Sequence, residues 1–324
     1  MTTHYDAPAW LPGGHLQTMY PARLARRPQI RYRRERLTTP DGDFVDLDWV
    51  EGPADAPLAV LFHGLEGSSR SHYALQLMQA VAQRGWRGAV MHFRGCSGEL
   101  NLRPRSYHSG DSTEVGWFLG AMRARFPDTP LVAIGVSLGG NALLKWLGEQ
   151  GEAARAVVTA AAAVSAPVDL MAAGDNLDRG FNLVYVHHFL ITMKKKGLAK
   201  LAQYPALFDR ERMLRSRTLR EFDDVFTAPL HGYAGTDDYW TRASSKPWLA
   251  RVAAPTLMVN AMNDPFLPAE ALPGSAEVSA AVTADFPVAG GHVGFMTGTF
   301  PGGWDWLPQR ILGFFDDARS KIAP

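Results

Sequence analysis

Leu131-Val132-Ala133-Ile134-Gly135-Val136-Ser137-Leu138-Gly139-Gly140-Asn141-Ala142-Leu143-Leu144-Lys145-Trp146-Leu147 is the stretch whose reading decides the fold. It opens on a continuous apolar run of strand length and closes on a helix-grade segment from Asn141, so Ser137 stands at a strand-to-helix turn. Glycines two before and two after the serine remove the Cβ atoms that would collide in so sharp a reversal. The serine is thereby held strained and exposed, beside the unpaired N–H groups and positive dipole end of the helix that follows. Gly-x-Ser-x-Gly alone is a weak signal: 31 glycines and 15 serines produce it by chance in about one such chain in seven. The flanking strand and helix are what make it a nucleophile elbow.

Working outward, residues 29–37, the turn dipeptide Asp41-Gly42 and residues 44–50 predict an edge hairpin. Seven arginines between Arg23 and Arg36 read as the solvated face of that edge and its lead-in. Residues 58–62 predict a buried strand, 73–84 a helix ending at Gly85, and 89–93 a further buried strand. Ser109-Gly110-Asp111 is placed to cap a helix through Arg125, and 156–164 predict the strand after the elbow helix. Strands alternating with helices imply an α/β fold with a mostly parallel central sheet. The alternation stops over 169–246, read as an inserted helical cap between core segments 1–168 and 247–324. Strands are expected again at 256–260 and 282–288, then a closing helix after Pro308.

The 324 residues, 46% hydrophobic and 20% charged, can bury a large core. A formal net charge of +1 gives no reason to expect a nucleic-acid partner. The apolar stretches are too short or too interrupted to span a bilayer, and Met1 to Asp6 lack the features of a signal peptide, so a cytoplasmic protein is expected. Cys96 is the only cysteine, which excludes an intramolecular disulfide and a cysteine metal cluster. No dinucleotide fingerprint, phosphate loop or His-Glu-x-x-His occurs, so neither metal nor other cofactor is expected.

A serine hydroxyl needs a base to take its proton and an acid to orient that base. Asp264 follows the 256–260 strand in Asn263-Asp264-Pro265-Phe266-Leu267-Pro268, where prolines stiffen the loop. His292 follows the 282–288 strand in Gly290-Gly291-His292-Val293-Gly294, where glycines let the backbone bring the imidazole over the sheet edge. Both stand at C-terminal ends of strands, where open parallel sheets place their sites. Two N–H donors are needed for the oxyanion: the amide of Leu138, directly after the serine, and that of Leu65, in the loop after the 58–62 strand.

Several further segments give the chain a family likeness. Trp10-Leu11-Pro12-Gly13-Gly14-His15-Leu16-Gln17-Thr18, Phe62-His63-Gly64-Leu65-Glu66-Gly67-Ser68, Met91-His92-Phe93-Arg94-Gly95-Cys96-Ser97-Gly98-Glu99, Tyr107-His108-Ser109-Gly110 and the elbow with Gly140-Asn141 resemble the α/β-hydrolase superfamily, specifically its bacterial YheT-like esterases. The resemblance implies a cytosolic serine hydrolase cleaving carboxylic esters, with a Ser/Asp/His triad on Ser137, Asp264 and His292. A related eukaryotic branch acts on lipid esters, which makes lipid-like acyl esters candidate substrates.

His63 is expected to shape the oxyanion loop and, with Arg94, Phe181 and Phe189, is a pocket candidate; His92 and His108 stand close enough to line it too. Phe181, Leu183, Tyr185, Phe189, Leu190 and Ile191 would give the cap an apolar lining while its lysines and arginines face water or touch an anionic membrane surface. An acyltransferase would use the same acyl-enzyme, but the His-x-x-x-x-Asp signature follows no histidine here. A non-catalytic acyl-binding protein would be expected to have lost one of three separately placed triad residues, and all three remain.

Overall fold

The computed structural model describes residues 4–321. Among them, strands β1 (Arg33–Thr38), β2 (Phe44–Val50), β3 (Leu58–Phe62), β4 (Arg87–His92), β5 (Leu131–Val136), β6 (Ala160–Val164), β7 (Thr256–Val259) and β8 (Val282–Asp285) form one sheet in the order β1-β2-β4-β3-β5-β6-β7-β8. β1, β2 and β4 pair antiparallel and every other pairing is parallel, so the edge hairpin sits on an otherwise parallel sheet. Alternation along β3 splits the core. Leu58, Val60 and Phe62 face a layer containing α3 (Ser112–Arg125) and α4 (Leu138–Gln150). Ala59 and Leu61 face the opposite layer, containing α2 (His72–Gln83) and α11 (Trp306–Ser320). This is the α/β-hydrolase architecture expected above.

Boundaries differ where local chemistry intervenes. The strand expected at 156–164 begins only at Ala160, because Gly151–Ala156 winds into a 3₁₀ turn. That expected at 282–288 stops at Asp285, two residues before Pro287, which has no N–H for a ladder. The last helix starts at Trp306 and holds Pro308 in its first turn, where a missing N–H costs nothing. Asp111 precedes α3 as expected, but its carboxylate pairs with Arg105 instead of capping the helix.

Between β6 and β7 the chain runs through α5 (Leu170–Leu177), α6 (Leu183–Gln203), α7 (Arg210–Arg215), α8 (Leu219–Phe222), a π-helical turn (Asp223–Thr227), α9 (Ala228–Leu230) and α10 (Thr236–Ala243). These helices share an apolar cluster of their own that includes Val186, Leu190, Phe222, Phe226 and Trp240. Polar side chains fasten them to the sheet. Lys200 Nζ donates to the Asn101 and Arg103 carbonyls at 3.0 and 2.7 Å, and Asn176 and Asn182 both donate to the Pro265 carbonyl at 2.7 Å. The expectation that the lysines here face water is therefore corrected for two of them. Lys200 is 1% exposed, and Lys196 turns inward to Glu66. Their signal was spacing: Phe189, Met193, Lys196 and Lys200 repeat on one face of α6. No helix among the described residues is long and apolar enough to cross a membrane.

Candidate active site

Ser137 adopts φ 53° and ψ −121° between β5 and α4, the strained turn that the flanking glycines permit. A Cβ on Gly139 would stand 2.4 Å from the Phe62 carbonyl oxygen, and one on Gly135 would stand 2.5 Å from that of Gly139. Helix α4 can therefore approach β3 and β5 this closely only with glycine at both positions. The Ser137 N–H donates to the Val164 carbonyl at 2.8 Å, which fixes the turn to the end of β6.

His292 Nε2 lies 3.0 Å from Ser137 Oγ, and its Nδ1 lies 2.9 and 3.1 Å from the two oxygens of Asp264. A carboxylate can only accept, so Nδ1 carries the ring hydrogen and Nε2 is free to accept from the serine. Asp264 is buried and also accepts from the Phe266 N–H at 2.8 Å, while the Phe266 ring stacks on the imidazole at 4.0 Å between centroids. Residues far apart in sequence thus form one continuous hydrogen-bonded relay.

The residues that hold the relay in place include several that sequence reasoning assigned no role. Gln17 and Thr18 on α1 (Gly14–Arg23) bridge the acid and histidine loops. Thr18 Oγ1 accepts from the His292 N–H at 2.8 Å; Gln17 Oε1 accepts from Gly290 N–H and Asn263 Nδ2, both at 2.9 Å; and Asn263 Oδ1 accepts from Gly291 N–H at 3.0 Å. A Cβ at Gly14 would meet the Asn263 carbonyl oxygen at 2.0 Å, so glycine at this position lets α1 lie against the acid loop. The signal was the Gly-Gly-His-Leu-Gln-Thr run, visible as a likeness before it had a function. Ser165, at φ 48°, accepts from the Val293 N–H at 3.0 Å.

The loop after β3 is shaped by two phenols. Gly64 N–H donates to Tyr73 and Glu66 N–H to Tyr107, each at 2.8 Å. The intervening amide of Leu65 has no protein acceptor among the described residues. The Leu138 amide is the first of α4 and so has no intrahelical partner. Leu65, Leu138, Ser137 and His292 line one cavity of about 120 Å³ that runs beneath the inserted helices between Phe189, Leu170, Phe222, Phe226 and Trp240.

Of the four pocket candidates, only Phe189 lines this cavity. His63 lies beneath it, its Nδ1–H donating to the Gly64 carbonyl at 2.8 Å and its Nε2 accepting from the Phe93 N–H at 3.1 Å. Full burial drives its pKa down to about 3, so it stays neutral and shapes the loop. Arg94 is sequestered in an ion cluster, 2.8, 3.0 and 2.6 Å from Asp41, Asp43 and Glu114. Phe181 is 51% exposed and packs edge-on against His15 outside the cavity. His92 likewise pairs with Asp48, whereas His108 lines the cavity wall, held neutral by burial with its pKa near 3. Sequence reasoning missed Glu66, Lys196 and Asp223 as cavity residues. Lys196 Nζ donates to Glu66 Oε1 at 2.8 Å, and Asp223 accepts from Trp240 Nε1 at 2.9 Å and Thr227 Oγ1 at 2.6 Å.

A mostly parallel sheet with this strand order and a serine at the turn after β5 defines an α/β-hydrolase, and comparison with known proteins agrees. The family described as alpha/beta hydrolase fold matches residues 57–299. A protein of Escherichia coli (strain K12) named "Putative esterase YheT" is 43% identical over 92% of this chain and 88% of its own length. Phospholipase ABHD3 of Homo sapiens is 30% identical over 93% of this chain and 76% of its own. Among solved structures, the Pyrococcus furiosus esterase Pf2001 superposes with a TM-score of 0.55 at 14% identity, covering 90% of this chain and 99% of that one, a likeness of fold. The chain belongs to the α/β-hydrolase family, in its bacterial YheT-like group.

Proposed function

We propose that this protein is a serine esterase that cleaves carboxylic esters through an acyl-enzyme on Ser137, with His292 as general base and Asp264 orienting it. The observation that carries the reading is the relay itself, at 3.0 Å from Oγ to Nε2 and 2.9 Å from Nδ1 to the carboxylate. His292 Nε2 takes the hydroxyl proton as Oγ attacks the ester carbonyl. The resulting oxyanion is held by the Leu65 and Leu138 amides, and His292 returns the proton to the departing alcohol. Water, activated by the same imidazole, then resolves the acyl-enzyme. The apolar cavity under the inserted helices takes the acyl chain, which supports lipid-like acyl esters as substrates. The names of relatives point the same way, one a phospholipase and another, from Saccharomyces cerevisiae, a monoacylglycerol lipase. With one cysteine, half-buried and in no disulfide, the reading is of an enzyme of the reducing cytoplasm.

A fluorophosphonate probe tests the reading: one label per chain, mapped by tryptic digestion to Ser137 and absent from Ser137→Ala, is expected. A folded protein left unlabelled, or labelled elsewhere, overturns it.

A further inference from the structure

Ser137 opens onto two spaces that differ in the charge their walls carry. On one side lies the apolar cavity, whose cation, Lys196, is neutralised by Glu66. On the other is an open cleft of about 550 Å³ that also contains Leu65, Ser137 and His292, and whose walls carry Arg23, Arg27 and Arg70. These three arginines differ from the three on the edge strand β1. Arg33, Arg34 and Arg36 each lie on a carboxylate, of Glu51, Asp48 and Asp46 respectively. By contrast, none of the three cleft arginines has a carboxylate within 4.0 Å among the described residues, and the one acidic residue of the cleft is Glu66, already paired with Lys196.

Their hydrogen bonds go to uncharged acceptors. Arg23 Nη2 donates to His188 Nε2 at 2.8 Å; Arg27 Nη2 donates to the Ala22 carbonyl at 2.6 Å and its Nη1 to the Arg70 carbonyl at 3.5 Å. Each guanidinium offers five N–H donors, so most remain open. Through the Arg70 backbone Arg27 stands beside the start of α2, where Ser71 makes no side-chain cap and the amide dipoles add positive potential. His72, the first residue of that helix, faces the Val293 carbonyl at 3.2 Å, one residue from His292. Burial pushes the His72 pKa down to about 4, with the charge of Arg27 and that of a protonated His292 adding to the effect, so the ring is neutral and the cleft's charge is that of its arginines.

We propose, building on the esterase reading, that this cleft is a leaving-group subsite for alcohols bearing a phosphate, with Arg27 and Arg70 as its principal ligands and Arg23 at its rim. An apolar cavity and a cationic cleft meeting at one serine fit an ester that is apolar on its acyl side and anionic on its alcohol side. Two sources share that chemistry: a phosphate ester free in solution and the headgroup of a phospholipid. Arginine serves either, since its planar fork matches phosphate oxygens in pairs.

The test compares two matched substrates at low salt, 1-hexanoylglycerol 3-phosphate and 1-hexanoylglycerol, with the full chain. The phosphorylated ester is expected to have a kcat/KM about tenfold or more higher, and glycerol 3-phosphate to inhibit competitively. Arg27→Glu and Arg70→Glu should each collapse the ratio toward one, and Arg27→Lys should retain part of it. Arg155→Glu, the same charge change at the far end of β6, should keep it. Raising ionic strength should shrink the ratio, because the cleft is open to solvent. A preference in monomeric hexanoyl esters assigns the site to phosphate in solution; one seen only with palmitoyl analogues in neutral vesicles assigns it to a lipid headgroup, and either supports the subsite. Ser137-dependent cleavage of the phosphorylated and unphosphorylated esters at equal rates in both the hexanoyl and the palmitoyl series, with no inhibition by glycerol 3-phosphate, overturns the subsite and leaves the esterase reading standing. Failure to cleave either ester, or p-nitrophenyl hexanoate, overturns both.

Discussion

The ends of the sheet and the inserted helices above them are held by different forces. At the sheet ends each reacting group is fixed by short bonds from separate elements: Ser137 by Val164, His292 by Thr18, and the Gly290 amide and Asn263 side chain by Gln17. The inserted helices instead share an apolar cluster and reach the sheet through a few long polar side chains, chiefly Lys196, Lys200, Asn176 and Asn182. Directional bonds define position to fractions of an ångström, whereas apolar packing accepts many side-chain combinations of similar volume. On the esterase reading proposed above, the difference says where to look for each property: reactivity at the sheet ends, and selectivity in the insertion and the cleft beside it.

The largest expected effect tests the first half of that division. Ser137→Ala and His292→Ala should each lower kcat on a short activated ester by about 10⁴ or more, and the double variant should be no worse, because both residues act on one proton. Asp264→Asn should cost comparably or less by misorienting the imidazole. If steady-state assays found His292→Ala at near-normal turnover, the relay would not be the reacting unit.

Next comes a stability effect at the same end of the sheet. Arg94, itself buried, pairs with the buried Asp43 and Glu114 and with the exposed Asp41. Arg94→Met strands these carboxylates and should cost about 3–5 kcal/mol in urea unfolding. Since Arg94 does not line the cavity, kcat per folded molecule should hold. A variant as stable as the parent but catalytically impaired would return Arg94 to the site.

The sheet was largely legible because buried strands declare themselves as apolar runs, and the elbow, Asp264 and His292 because chain order and strand ends restrict them. What misled was burial of charge. Arg94 lies in the most family-specific run of the sequence, yet nothing local revealed that Asp41 and Asp43, fifty residues away, would enclose it. Gln17 and Thr18 act across some 270 residues, a separation to which periodicity is blind. In the insertion the apolar residues could be recognised, but Phe181 and Phe189 are eight apart and fall on different faces once a 3₁₀ turn at Gly180–Asn182 and α6 set the phase.

Asp223 supplies a smaller effect, within the insertion. It is buried on the π-helical turn, and desolvation raises its pKa from 3.8 to about 6. A carboxyl raised on folding binds more protons in the native than in the unfolded state between those values. Its contribution is therefore fully present below about pH 4 and lost as pH rises through 6. The loss should amount to about 2–3 kcal/mol, against the bonds from Trp240 and Thr227 that persist. Asp223→Asn should flatten that stretch of the stability–pH curve, measured by urea unfolding from pH 4 to 8. Parallel curves for parent and variant would mean that the carboxyl is already ionised in the fold.

The smallest effect separates two phenylalanines of one insertion. Phe189 lines both the cavity and the cleft, whereas Phe181 lies outside them. Phe189→Ala enlarges the space beside the acyl chain and removes apolar surface it could bury, at about 0.8 kcal/mol per methylene equivalent, or roughly fourfold in kcat/KM for each. Its p-nitrophenyl ester profile should therefore shift toward longer or bulkier acyl groups, with KM moving several-fold and reactivity toward the acetate ester nearly constant. Phe181→Ala should leave the profile where it was, since a ring 51% exposed against His15 has no chain to touch. Equal shifts in both variants would mean that the insertion acts by its overall packing, and an unmoved profile in Phe189→Ala would pass acyl selection to cavity residues outside the insertion, such as Leu138 and Leu267. In that case the contrast between a reactive frame and a selective insertion would fail at its second half while the relay remained untouched.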